Sequence, residues 1–142
     1  MRRVDHPEHY GGASNPYEAI KVIDAWRCNF NTGNSYKYMA RAGLKTSAGM
    51  STMEKLIEDL GKARWYLKHQ AARLSRGCPT AHITQPLIVP DVYRFDSVFI
   101  NVGFSIQLEP AVRACFDQCS HHKVEAGIAA LDLSILKAQE AL

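Results

Sequence analysis

The chain has 142 residues, 46% of them apolar and 22% charged, with a formal net charge of +3. That composition suits one ordinary globular unit, or two small halves sharing a core, and argues against disorder. No run of about 18 apolar residues is present to span a bilayer, and Met1-Arg2-Arg3 leads into Asp5-His6-Pro7-Glu8-His9 where a signal peptide would turn hydrophobic, so a cytoplasmic protein with no membrane partner is expected. Cys28, Cys78, Cys115 and Cys119 are too sparse for a disulfide framework and read as free thiols. Charge is uneven: residues 1–76 hold 13 Lys and Arg against 7 Asp and Glu, whereas residues 77–142 hold 4 against 7. A basic N-terminal half suits an anionic ligand.

In chain order, Asn15-Pro16 and the apolar spacing up to Trp26 predict a first helix over about 16–28, with proline at its first position. Asn29 to Gly33 reads as a turn-rich break. A short second helix then spans Asn34 to Ala42, with Gly43 placed to end it. Ser51-Thr52-Met53-Glu54 has the form of a capping box, and Met53, Leu56, Ile57, Leu60, Leu67, Ala71 and Leu74 continue an apolar stripe to about residue 75, the third helix. Residues 77–90 contain three prolines and read as a linker. Beyond it, Asp91 to Ile100, Ser105 to Phe116 and Val124 to Leu142 read as helical, with a break at Gly103.

The expected fold is therefore all-α, a compact helical bundle with an N-terminal half at 1–76, the linker, and a C-terminal half at 91–142 acting as scaffold or oligomerisation surface. The halves can be laid on one another. Gly33-Asn34-Ser35-Tyr36 matches Gly103-Phe104-Ser105-Ile106, and Glu54, Ile57 and Leu60 match Glu125, Ile128 and Leu131. Two degenerate copies of a small helical unit would each need the other to cover an apolar face.

The chemistry sits on the second helix. At about 100° per residue, Asn34, Lys37, Tyr38 and Arg41 share one face while Tyr36, Met39 and Ala40 take the other. Lys55, Asp59, Lys62 and Tyr66 form a matching polar face on the third helix. If the two helices pack antiparallel, Lys37, Arg41 and Lys62 converge around Asp59, which suits a phosphorylated ligand with a planar base. The plainer alternative is a solvated lattice of helix-surface ion pairs. Asp5, His6 and His9 could ligate a metal, but Pro7 between the histidines favours a turn, and Cys115, Cys119, His121 and His122 lack the tight pairs of a zinc site. No metal ligand is assigned. Trp65 projects off the apolar stripe, toward a partner or a ligand.

Four stretches in this order carry a resemblance: Asp5-His6-Pro7-Glu8-His9-Tyr10; Glu18-Ala19-Ile20-Lys21-Val22-Ile23; Phe30-Asn31-Thr32-Gly33-Asn34-Ser35-Tyr36-Lys37-Tyr38-Met39-Ala40-Arg41-Ala42-Gly43-Leu44-Lys45; and Glu58-Asp59-Leu60-Gly61-Lys62-Ala63-Arg64-Trp65-Tyr66-Leu67. Over about residues 5–70 the chain resembles the phage SaV-like family, long filed as a domain of unknown function and commonly labelled nucleotide kinase. The label comes from a phage enzyme that phosphorylates deoxynucleoside monophosphates without a P-loop, and this chain too lacks GxxxxGK[ST].

The resemblance implies a (deoxy)nucleoside monophosphate kinase-like protein in the bacterial host cytoplasm, with ATP and Mg²⁺ as cofactors if it is active and none otherwise. It draws His6, His9, Tyr10, Asn34, Lys37, Tyr38, Arg41, Lys45 and Tyr66 into substrate binding, and Asp59 and Lys62 into catalysis. Within that set Lys37, Arg41 and Lys62 are expected on phosphate, Asn34 and Tyr38 on base or sugar, and Asp59 in metal or proton handling. A kinase needs donor and acceptor sites side by side, and the second half offers Phe104, Gln107, Leu108 and Ala111 where the stripe would recur. The alternative is a non-catalytic nucleotide sponge acting against host defence signalling. A homo-oligomer is expected, and nucleic acid is a weaker candidate than a free nucleotide. A pyrophosphohydrolase would require more helical carboxylates than Glu54, Glu58 and Asp59 supply.

Overall fold

A computed structural model describes residues 12–44, 47–77 and 88–142. Helix α1, Ala19–Ala25, is shorter than the expected 16–28. The Tyr17 N–H donates to Asn15 Oδ1 at 2.9 Å, closing a turn that holds Pro16 ahead of the helix instead of inside it. At the other end the N–H groups of Arg27 and Cys28 donate to the carbonyls of Asp24 and Ile23, both at 3.1 Å, a Schellman ending with Arg27 in the left-handed region at φ 53°. An arginine there costs on the order of 1 kcal/mol. Its carbonyl is held in place by Gln118 Nε2, which donates to it at 2.7 Å.

Helix α2, Phe30–Arg41, corrects the expected break at Asn29 to Gly33. Asn29 and Thr32 form a reciprocal capping box, so the polar, glycine-containing stretch is the first turn of the helix. Gly33 lies inside it for a packing reason: a Cβ there would come within 3.2 Å of Ile23 Cγ2, where α1 crosses. Gly43, at φ +83°, follows the end of α2 as expected. Helix α3, Thr52–Ser75, begins at the Ser51 and Glu54 capping box and buries Leu60, Ala63, Leu67 and Ala71. Fully burying Leu67 contributes roughly 2 kcal/mol.

In the second half a 3₁₀ turn at Asp91–Tyr93 precedes α4, Phe95–Val102, because Arg94 is extended at ψ 150° and interrupts the single helix expected from 91 to 100. Gly103, at φ 84°, ends α4. A second 3₁₀ turn, Ile106–Leu108, leads into α5, Glu109–Phe116, and Ser120 caps α6, His121–Glu140. Every regular element among the described residues is helical. No described helix is long and apolar enough to cross a membrane.

Helix α3 packs along α6, α2 along α3, and α5 along α6, around one core that includes Trp26, Tyr36, Leu67, Val98, Val112 and Leu131. Helices α5 and α6 come close at Gly127, under a side chain of α3: a Cβ there would lie 3.0 Å from Ala114 Cβ and 3.1 Å from both Ala111 Cα and Leu67 Cδ1. Each half ends on its longest helix, yet the glycines paired by the sequence sit differently: Gly33 is within α2, whereas Gly103 terminates α4.

Candidate functional site

The N-terminus of α2 is fixed from three sides by neutral groups. Asn29 Nδ2 donates to Gln70 Oε1 at 2.9 Å, Gln70 Nε2 donates to the Gln118 carbonyl at 2.7 Å, and Gln118 Oε1 accepts from the Asn29 N–H at 2.8 Å and from Thr32 Oγ1. Gln70 and Gln118 are completely buried and well satisfied, as such groups must be. This network sets the rotation of α2, and with it the direction in which the polar stripe faces.

The stripe does meet α3. The Tyr38 and Tyr66 rings lie parallel within 10°, centroids 6.1 Å apart, and Phe30 meets Tyr66 edge-on at 5.8 Å. Three cations surround the Tyr38 ring: Arg41 Cζ at 4.5 Å, Lys37 Nζ at 4.8 Å and Lys62 Nζ at 5.3 Å from its centroid, within the reach of cation–π attraction. Lys37 has no carboxylate partner among the described residues. Lys62, its side chain 43% exposed, shares Glu58 Oε1 with Lys55.

Arg41 and Asp59 have a different character from the one expected. Arg41 Nε and Nη2 donate to Asp59 Oδ1 at 3.3 and 3.2 Å, and both side chains are buried, Asp59 completely. Lys55, buried as well, places Nζ 3.6 Å from the same oxygen. The Asp59 charge is thus met inside the protein by two cations, while its Oδ2 has no hydrogen-bond partner. A carboxylate so enclosed holds Arg41 and Lys55 in place; neither a substrate hydroxyl nor a metal ion reaches it while that pair is closed. Lys55 has its pKa raised, chiefly by the hydrogen bond to Glu58, and Glu58 has its pKa lowered by hydrogen bonds from Lys55 and Lys62.

Asn34 faces the other way along the stripe. Its Nδ2 donates to the Phe30 carbonyl at 2.7 Å, and it lines a groove of about 310 Å³ with Ile20, Ile23, Phe30 and Lys37. Lys37 links this groove to the Tyr38 ring. Phe30 and Glu58 are the members not assigned from sequence, and Lys55, placed on the polar face, is given no role there. Phe30 stands one turn before Asn34 and Lys55 one turn before Asp59, so the i, i+4 spacing was the available signal. His6, His9, Tyr10 and Lys45 lie outside the described residues. Cys115 is buried against the Ala111 carbonyl, whereas His121 is half exposed beside Ser75 Oγ, so these donors do not converge.

Residues 4–68 match the model of a family described only as a protein of unknown function, DUF3310. No curated protein and no solved structure matches the chain.

Proposed function

We propose that the α2–α3 face binds a phosphorylated nucleotide and holds it without turnover. The observation that carries this reading is the Tyr38 ring, parallel to Tyr66 and within 4.8 and 5.3 Å of the Lys37 and Lys62 ammonium groups. A base stacks on the exposed Phe30 ring beside the Asn34 carboxamide, and the phosphates lie along Lys37 and Lys62. Arg41 supports Tyr38 from beneath and is occupied by Asp59. A phage protein of this kind would sequester a signalling nucleotide of host defence, and a second copy docking on the half-exposed Trp65 would give the homo-oligomer.

The kinase reading rests on the resemblance to the SaV-like family. ATP and Mg²⁺ fit the described residues poorly: Asp59 is enclosed, and Glu58, the more exposed carboxylate, is bonded to two ammonium groups. One experiment separates the readings. The purified protein is titrated calorimetrically with nucleoside mono-, di- and triphosphates and cyclic nucleotides, then heated to release the ligand, which is weighed by mass spectrometry. Recovery of an unaltered nucleotide supports capture; a diphosphate formed from a monophosphate, ATP and Mg²⁺ establishes the kinase instead. Absence of heat with every nucleotide overturns both.

A further inference from the structure

Helix α6 buries Val124, Gly127, Leu131, Ser134 and Ala138 against the rest of the bundle. Its outer side is also apolar: Ala126, Ala129, Leu133 and Leu136 are exposed, the two leucines each by 51%. Spaced three, four and three residues apart, these four share one face in the pattern of a helix–helix seam, where a solvated helix carries polar side chains. His122 and Glu140 stand four residues beyond the two ends of the stripe. Both are exposed, and neither has a partner among the described residues.

The stripe is complementary to its own reverse. From His122 to Glu140 the steps are four, three, four, three and four residues, the same in either direction, so reversing one copy brings every layer into register at once. We propose that α6 pairs antiparallel with α6 of a second copy of this chain, about a two-fold axis. Leu136 then lies opposite Ala126 and Leu133 opposite Ala129, so each layer holds one large and one small side chain and the axes approach evenly to about 8 Å. At both ends the His122 ring N–H donates to Glu140 of the second copy. Asp132 comes near its own counterpart, but each is already bonded to Arg64, and Lys123, which comes near Lys137 of the second copy, is bonded to Asp117. A parallel pair would set Glu140 against Glu140 and alanine against alanine. Self-complementarity of this kind is what a two-fold contact requires, and it selects a second copy over an unrelated partner. Four layers bury little area, so the association is weak and forms at micromolar concentration and above. It goes beyond the nucleotide reading and does not depend on it, and it uses a helix other than the one that carries Trp65.

Sedimentation velocity of the full chain from micromolar to millimolar concentration follows the equilibrium, and a reversible monomer–dimer step is expected. Leu133→Ala takes a leucine out of two layers and weakens the dimer roughly thirtyfold. Ala129→Leu weakens it as well, by setting leucine against leucine. The two substitutions together restore one large and one small side chain in each layer, and the dimer returns to within about threefold of the parent. A parallel pair would keep both defects, so the rescue is specific to the proposed register. Both positions are exposed in the monomer, and its Tm at high dilution stays within a few degrees of the parent. A chain that remains monomeric at millimolar concentration overturns the proposal, as does a double variant no tighter than the weaker single one. So does a dimer that Trp65→Ala dissolves and the α6 variants leave intact, which would assign the contact to α3. Calorimetric titration with nucleotides reads the other site separately: its failure would leave this equilibrium unchanged.

Discussion

The two ends of helix α2 solve the problem of buried polarity in different ways. At its N-terminus, Asn29, Thr32, Gln70 and Gln118 interlock through neutral amides and a hydroxyl, each group matched by a partner. Near its C-terminus, Arg41, Asp59 and Lys55 bury formal charges, two positive against one negative, and leave Asp59 Oδ2 unpaired. The neutral network joins the two halves of the molecule where water is excluded. The charged one lies on the same side as the partly exposed cations Lys37 and Lys62, and Glu58, bonded to both Lys55 and Lys62, balances its second positive charge. One end of the helix is held by neutral partners, the other by charged ones.

That contrast breaks hardest at Asp59. Asp59→Ala removes the buried carboxylate that Arg41 and Lys55 share, leaving Lys55 its bond to Glu58, and should lower stability by about 3 kcal/mol, read as a shift of the urea midpoint at constant slope. Asp59→Asn should cost less, since it keeps a hydrogen-bond acceptor beside Arg41. Gln118→Ala tests the neutral end and should cost about 2 kcal/mol, by stranding the Arg27 carbonyl and weakening the hold on Asn29 and Thr32. A Gln118 variant costing more than the Asp59 variant would reverse the ranking of charged over neutral burial.

A pH scan sharpens the same comparison. Burial holds the Cys28 thiol up at about 12, from an ordinary 9.0, and raises Cys115 as well. The unfolded chain therefore loses these protons first, so their contribution is complete below pH 9 and is lost as pH climbs from 9 toward 12. Cys28→Ala and Cys115→Ala should each flatten that alkaline limb. On the acid side the lowered Glu58 contributes above its ordinary 4.5, and that contribution disappears as pH falls through its folded value; Glu58→Gln should remove it. The smallest effect on folding belongs to Lys37→Ala, within about 0.5 kcal/mol of the parent, while nucleotide affinity drops about tenfold for the loss of one charged contact. Equal losses of stability and affinity would deny Lys37 a ligand role.

What could be read from the sequence was what depends on local chemistry. Ser51 with Glu54 marks the start of α3, Gly43 the end of α2, and helical spacing the all-α class. Asn29 to Gly33 misleads because asparagine, threonine and glycine suit turns and caps equally. Only the crossing of α1 over Gly33 and the arrival of Gln118 from the other half make them a helix start. Angular position puts Arg41 and Asp59 on the polar stripe, but it carries no depth. Whether a polar stripe is solvated or buried depends on where the neighbouring helix axis runs, and α3 runs close enough to cover both. Lys37, Tyr38, Lys62 and Tyr66 came together because they stand farther out on the same two faces.

The Gln118 carboxamide has a consequence for how this protein is divided. The family match stops at residue 68, inside α3, yet the left-handed Arg27 and the α2 capping box are completed by a side chain well beyond it. The recognisable segment is therefore shorter than the set of residues that completes its first two helices. A fragment ending at Gly77 would keep every residue of the Tyr38 and Tyr66 cluster and lose the Gln118 clamp on the start of α2.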